Sequence, residues 1–157
     1  KGYKHFSNKL WNIGRYVLES THDYDVAQRP QRLRPLDEKD LHKFEALVKA
    51  ITKEMDEYRF YIAADKLYHY VWHNFADEII EESKEVLSKE TPMRVQPWAK
   101  TSSAWLLNHI LENCLKLLHP FIPFVTEEIW QLWKQPGTKD GMLMVAPWAV
   151  GHGTIDP

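Results

Sequence analysis

The chain has 157 residues, 44% hydrophobic and 27% charged, with a net charge of −2 when His is neutral. That is one ordinary globular domain with room for a sizeable core, and it excludes a polycation, so any basic surface must be local. The single Cys114 excludes an internal disulfide and a Cys-based zinc site, and neither a membrane-spanning run nor a signal peptide is present, so an intracellular, reducing compartment is the default expectation.

The first 20 residues read as an amphipathic helix. At about 100° per residue, Phe6, Leu10, Ile13 and Val17 share the face a bundle core needs. Lys1, Lys4, Asn8, Asn12 and Arg15 share the opposite face, with Trp11 at its edge. No acid interrupts this stripe before Glu19. Cations, amides and an indole in one line suit a sugar-phosphate backbone and an unstacked base. A merely solvated helix face is the alternative.

Residues 21–35 are polar and aperiodic, with two Pro, and form a loop that ends in the basic run Arg29, Arg32 and Arg34. The second helix is expected to start at Asp37 as N-cap, with Leu41, Phe44, Val48, Ile51 and Met55 as its core stripe. A tight turn near Glu57 and Tyr58 leads to a third helix over residues 60–87. Its inward stripe reads Phe60, Ala64, Leu67, Val71, Phe75 and Ile79. That helix would be about 40 Å long, natural for a bundle.

Residues 89–98 form a loop containing Pro92 and Pro97. A fourth helix follows, capped by the Thr101 hydroxyl and ending at His119, and Cys114 lies in its apolar stripe with Leu107, Leu111 and Leu118. Pro120 and Pro123 force a break. A fifth helix covers residues 124–134, with Glu127 and Glu128 near its positive end. Residues 142–146 read as a short strand or an extended strap.

The fold class is therefore all-α, an antiparallel up-down helical bundle with a short C-terminal extended segment. Residues 1–134 make the bundle, and residues 135–157 a strap or linker. The up-down order brings the start of helix one, the turn between helices two and three, and the end of helix four to one pole. Arg59, Phe60 and Tyr61 then lie near Lys1 and Lys4. The opening on Lys1 and the loose tail to Pro157 read as a domain cut from a longer protein.

Three chemistries compete on these residues. His69 and His73, spaced i, i+4 with Asp65 and Asp77 on the same line, have the geometry of a divalent-metal site, but the His-Glu-x-x-His pattern and a third His are lacking, and a solvated face is the favoured reading. No Gly-rich phosphate loop or nucleophile elbow occurs, so no catalytic residue is assigned. A protein-interaction bundle explains the amphipathic helices but leaves the one-signed face unexplained.

The residue strings decide the matter further. Phe6-Ser7-Asn8-Lys9-Leu10-Trp11-Asn12 followed by Arg15 resembles the F-A-N-K-L-W-N-x-x-R helix of valyl-tRNA synthetases. Tyr58-Arg59-Phe60, Ala63-Ala64, Leu67-Tyr68, Trp72 and Asn74-Phe75 are similar to that family's next helix, and residues 117–130 to its L-L-H-P-F-x-P-F-x-T-E-E-I-W helix pair. The matches run in the family's order over residues 1–134. Leucyl and isoleucyl relatives share the bundle but usually lack the Asn-Lys-Leu-Trp-Asn string. The chain departs from the pattern at Ile13-Gly14, at His73, at Ala76-Asp77-Glu78-Ile79 and in the 21–35 loop.

The resemblance implies an anticodon-binding bundle that holds the tRNA anticodon stem-loop. It implies a non-catalytic fragment of a cytoplasmic, monomeric valine–tRNA ligase, whose catalytic domain uses ATP and Mg²⁺. The fragment itself would need no cofactor or metal and touch no membrane. On this reading Lys1, Lys4 and Arg15 contact phosphates, and Asn8, Asn12 and Arg59 contact bases or sugars. Trp11 either stacks on a base or packs against the neighbouring helix.

Overall fold

A computed structural model describes residues 2–90, 95–133 and 141–149. Among them the structure is helical and contains no strand. Helix α1 is Gly2–Thr21, α2 is Pro35–Asp56 and α3 is Phe60–His69. The chain continues without a break through a π-helical segment, Tyr70–Ile80, into α4, Glu81–Leu87. Helix α5 is Pro97–Leu118 and α6 is Pro123–Trp133. Leu10, Val48, Leu67, Val71 and Leu111 are all buried.

Helix α5 is the axis of the bundle. It packs against α1, α2, α3, α4, the π segment and α6, and sixteen of its residues are buried. A helix with apolar residues on most of its circumference belongs in the centre of a bundle. Cys114 is fully buried there, and burial pushes its thiol pKa up, as a small core residue requires. The polar groups on α5 are satisfied internally. Asn108 donates to Thr21 Oγ1 and to the Ala104 carbonyl, both at 2.8 Å, and accepts from Trp133 Nε1 at 2.8 Å. That knot joins the end of α1 to α6 through α5.

Helix starts differ from the sequence expectation in a consistent way. Pro35 and Pro97 each occupy a first helical position, where the missing N–H costs nothing and the fixed φ suits the helix. Asp37 is therefore inside α2 and is not its N-cap; its buried carboxylate serves Arg34 and Ser102 instead. Thr101 likewise lies within α5, its hydroxyl donating to the Pro97 carbonyl at 3.2 Å.

The 60–87 helix needs two corrections. Phe60 is 47% exposed, because α3 begins at the edge of the bundle, beyond the helices that would cover it. Ala63 is fully buried in place of Ala64, which is half-buried. The π register also widens the inward face. The doublets Tyr70-Val71, Phe75-Ala76 and Ile79-Ile80 are buried together.

Residues 141–149 form a strap with one 3₁₀ turn at Leu143–Val145. The Leu143 N–H donates to the Glu127 carboxylate at 2.8 Å, and Trp148 Nε1 donates to Thr52 Oγ1 at 3.0 Å. Leu143 and Ala149 join the core.

Candidate nucleic-acid interface

The polar face of α1 is exposed as its periodicity dictates. Lys4, Asn8 and Asn12 are exposed. Arg15 is exposed too but pairs with Glu19 at 3.4 Å, one turn on. Such a surface pair is weak and yields readily to a phosphate. Lys1 lies outside the described residues.

Trp11 has features of both its readings. It is half-buried and packed against the core, and it borders an open groove of about 560 Å³ with Phe124, Glu127, Glu128, Gln131 and Leu132 of α6. Lys9, which the wheel did not single out, turns to the other side of α1. It reaches Asp77 at 3.1 Å and sits 5.0 Å above the Trp72 ring.

The expected pole exists. Tyr3 and Phe6 from α1, Tyr61, Ala64, Asp65 and Tyr68 from α3, and Leu118, Phe121 and Ile122 at the end of α5 line one groove of about 290 Å³. Its walls are aromatic, and its rim is wet. Tyr3 is 59% exposed and Tyr61 84% exposed. Tyr68 extends the surface, tilted against Phe6 at 4.9 Å and stacked on Trp72 at 5.8 Å. No single helix wheel reveals this groove, because three elements build it. Flat rings open to solvent at this spacing can receive an unstacked base.

The turn between α2 and α3 carries Arg59, whose side chain is turned onto α2. Tyr58 has φ of 58°, a left-handed conformation that a bulky residue adopts at a cost of order 1–3 kcal/mol. The cost is met by the bonds around it. The Arg59 N–H donates to the Glu54 carbonyl at 2.8 Å, and the Tyr58 N–H to the Met55 carbonyl at 3.1 Å. Glu54, although buried, keeps its charge, accepting from Arg59 Nε at 2.5 Å and Lys66 Nζ at 3.0 Å. The Arg59 bond, then the Lys66 bond, hold its pKa down to about 2. Arg59 also pairs with Glu57, and its own pKa is raised, chiefly by Glu54. The guanidinium is thus fixed in place while 44% of its side chain stays exposed.

His69 and His73 are exposed on the next turns, their rings stacked at 5.7 Å. Each faces an aspartate, Asp65 at 3.5 Å and Asp77 at 3.8 Å. Among the described residues, no three His, Cys, Asp or Glu side chains converge as a metal ion requires. No helix among them is long and apolar enough to cross a membrane.

A central helix ringed by others, with an aromatic groove at one pole, defines the class: an all-α helical bundle. Residues 37–153 match the family model described as the anticodon-binding domain of tRNA ligase, and the chain belongs to that family. It is also similar to valine–tRNA ligases. It is 34% identical over 139 residues to that of Aquifex aeolicus, 36% over 132 to that of Wigglesworthia glossinidia brevipalpis and 38% over 133 to that of Legionella pneumophila. Each match covers 83% of this chain but only 12–14% of the relative.

Proposed function

We propose that the chain is the module of a valine–tRNA ligase that holds the anticodon stem-loop of its tRNA. The aromatic groove of Tyr3, Tyr61, Tyr68 and Phe121 carries this reading, and Arg59, fixed in the turn that leads into the helix bearing Tyr61, adds a cation. A loop base enters the groove and stacks on Tyr61 and Tyr3. The Arg59 guanidinium, anchored through Nε and Nη1, offers its remaining Nη2 edge to a base or sugar. Lys4 and Arg15, with Lys1 ahead of them, lie along the phosphates, and Asn8 and Asn12 meet base edges or sugars. The parent protein attaches valine to tRNA with ATP and Mg²⁺ in a catalytic domain, acts as a monomer in the cytoplasm, and draws only RNA binding from this module.

Binding isotherms test the reading. A hairpin with a valine anticodon and one with a scrambled loop are titrated at two salt concentrations. Lys4→Ala and Arg15→Ala weaken both hairpins alike and shrink the log–log salt slope by roughly 0.7–0.9 each. Asn8→Ala, Asn12→Ala and Arg59→Ala erode the preference for the valine loop. Tyr61→Ala weakens binding by about 1–3 kcal/mol. If every variant matches the parent chain, the RNA reading is wrong and a protein-interaction bundle replaces it.

A further inference from the structure

The 22–34 loop is polar and aperiodic, yet it is firmly fastened. Arg34 donates to both Asp37 oxygens at 2.8 Å and to Glu82 at 2.7 and 2.9 Å, and its backbone N–H reaches Ser102 Oγ at 2.8 Å. These bonds tie the loop to α2, α4 and α5 at the pole opposite the aromatic groove. Two arginines ride on the loop. The Arg32 guanidinium lies 3.7 Å above the Trp98 ring, and that of Arg29 lies 5.8 Å from the Trp105 ring. Both side chains are exposed.

Their charge is unspent. Arg15, Arg34 and Arg59 are each held by a carboxylate, whereas Arg29 and Arg32 have no ion-pair partner among the described residues. The acids of the same loop are engaged elsewhere. Asp23 pairs with His22 at 3.0 Å, and Asp25 accepts the Ala27 N–H at 3.1 Å. The Arg32 guanidinium, 3.7 Å from its indole, is held over the ring, and a guanidinium so held meets a phosphate oxygen pair at little further ordering cost; Arg29, at 5.8 Å, is the looser of the two. Three residues apart, the two are at most about 11 Å from each other along the chain, so one strand can meet both.

We propose that Arg29 and Arg32 form a second phosphate-binding site, which takes the sugar-phosphate backbone of a folded RNA. The inference rests on the RNA-binding reading above. The two sites stand at opposite ends of α5, whose 22 residues span about 33 Å. A short loop cannot reach both. A whole tRNA can.

The test uses this chain with two probes, a valine tRNA transcript and its isolated anticodon hairpin. The Arg29→Ala/Arg32→Ala double variant is expected to bind the transcript roughly tenfold more weakly at low salt, with a salt slope reduced by about 1.4–1.8. Its hairpin affinity and melting temperature stay at the parent values. Arg29→Lys/Arg32→Lys keeps the slope, because the charges remain. Tyr61→Ala weakens both probes. Transcript binding unchanged by the double alanine variant overturns the second site and leaves the groove standing if Tyr61→Ala still weakens binding. A silent Tyr61→Ala with a weakened double variant has the reverse meaning. A decaglutamate peptide that loses binding in the double variant, while the transcript does not, assigns the arginines to an acidic protein surface and overturns the proposal. So does a parent chain that binds neither RNA.

Discussion

Gly14 on α1 faces Ile129 on α6 so closely that a Cβ placed on Gly14 would lie 2.9 Å from Ile129 Cγ2. Ile129 is 2% exposed and has nowhere to retreat. Overpacking costs about 1–3 kcal/mol, while Gly to Ala inside a helix returns up to about 1 kcal/mol. Gly14→Ala is therefore expected to lose up to about 2 kcal/mol in chemical denaturation. Ile129→Leu moves the branch away from the contact. The double variant should cost less than the sum of the singles, with a coupling of at least about 0.5 kcal/mol. Simple additivity would place the helices further apart than described.

The Arg34 guanidinium joins α2 to α4 through Asp37 and Glu82, and the Arg34 backbone N–H adds α5 through Ser102. Asp37 is 2% exposed and relies on that guanidinium. Removing one partner of a buried pair costs about 3–5 kcal/mol, because the other charge is left without compensation. Arg34→Ala should lose that much in urea denaturation. Arg34→Lys should recover little, since an ammonium cannot make the forked contact to both Asp37 and Glu82. Full recovery by lysine would show that only charge matters there.

The Glu54 carboxylate makes stability depend on acid. Its folded pKa is about 2, against an ordinary 4.5. A group depressed on folding stabilises above the ordinary value, and that contribution fades as pH falls from about 4.5 to about 2. Denaturation midpoints should decline across this window, and Glu54→Gln should flatten the decline. An equally steep decline in the variant would assign the acid sensitivity to other carboxylates.

Leu67 is fully buried where α3 meets the core. Leu67→Ala leaves a cavity and should cost roughly 2–5 kcal/mol. A loss below about 1 kcal/mol would mean that this part of the stripe collapses around the gap.

The parts of the fold legible in the sequence were those governed by one helix at a time. The Leu41, Phe44, Val48 and Ile51 stripe follows from spacing alone, and the structure buries all four. Phe60 misled because extending a stripe backward by helical spacing takes no account of where the neighbouring helices stop. Asp37 misled because its residue type favours caps, while Pro35 begins the helix two residues earlier. The π segment had a signal in the apolar doublets five residues apart, Tyr70-Val71 and Phe75-Ala76, which an α-helical wheel does not seek. The shared pole followed from the up-down order, and so the meeting of the start of α1, the start of α3 and the end of α5 could be foreseen. The groove itself could not, because Tyr3, Tyr61 and Phe121 are 58 to 118 residues apart and meet only through tertiary packing.

The strap also bears on when the fold can be finished. Trp148 and Thr52 are 96 residues apart. On a ribosome, α2 leaves the exit tunnel long before the residue that covers its flank has been synthesised. The amphipathic helices can gather locally and early, as short-range contacts do, but closure across the strap waits for a long-range partner. During that interval Thr52 and the surface under Leu143 are open to chaperones and to misassembly. A stalled chain ending before residue 143 should therefore be markedly more sensitive to protease than the released domain.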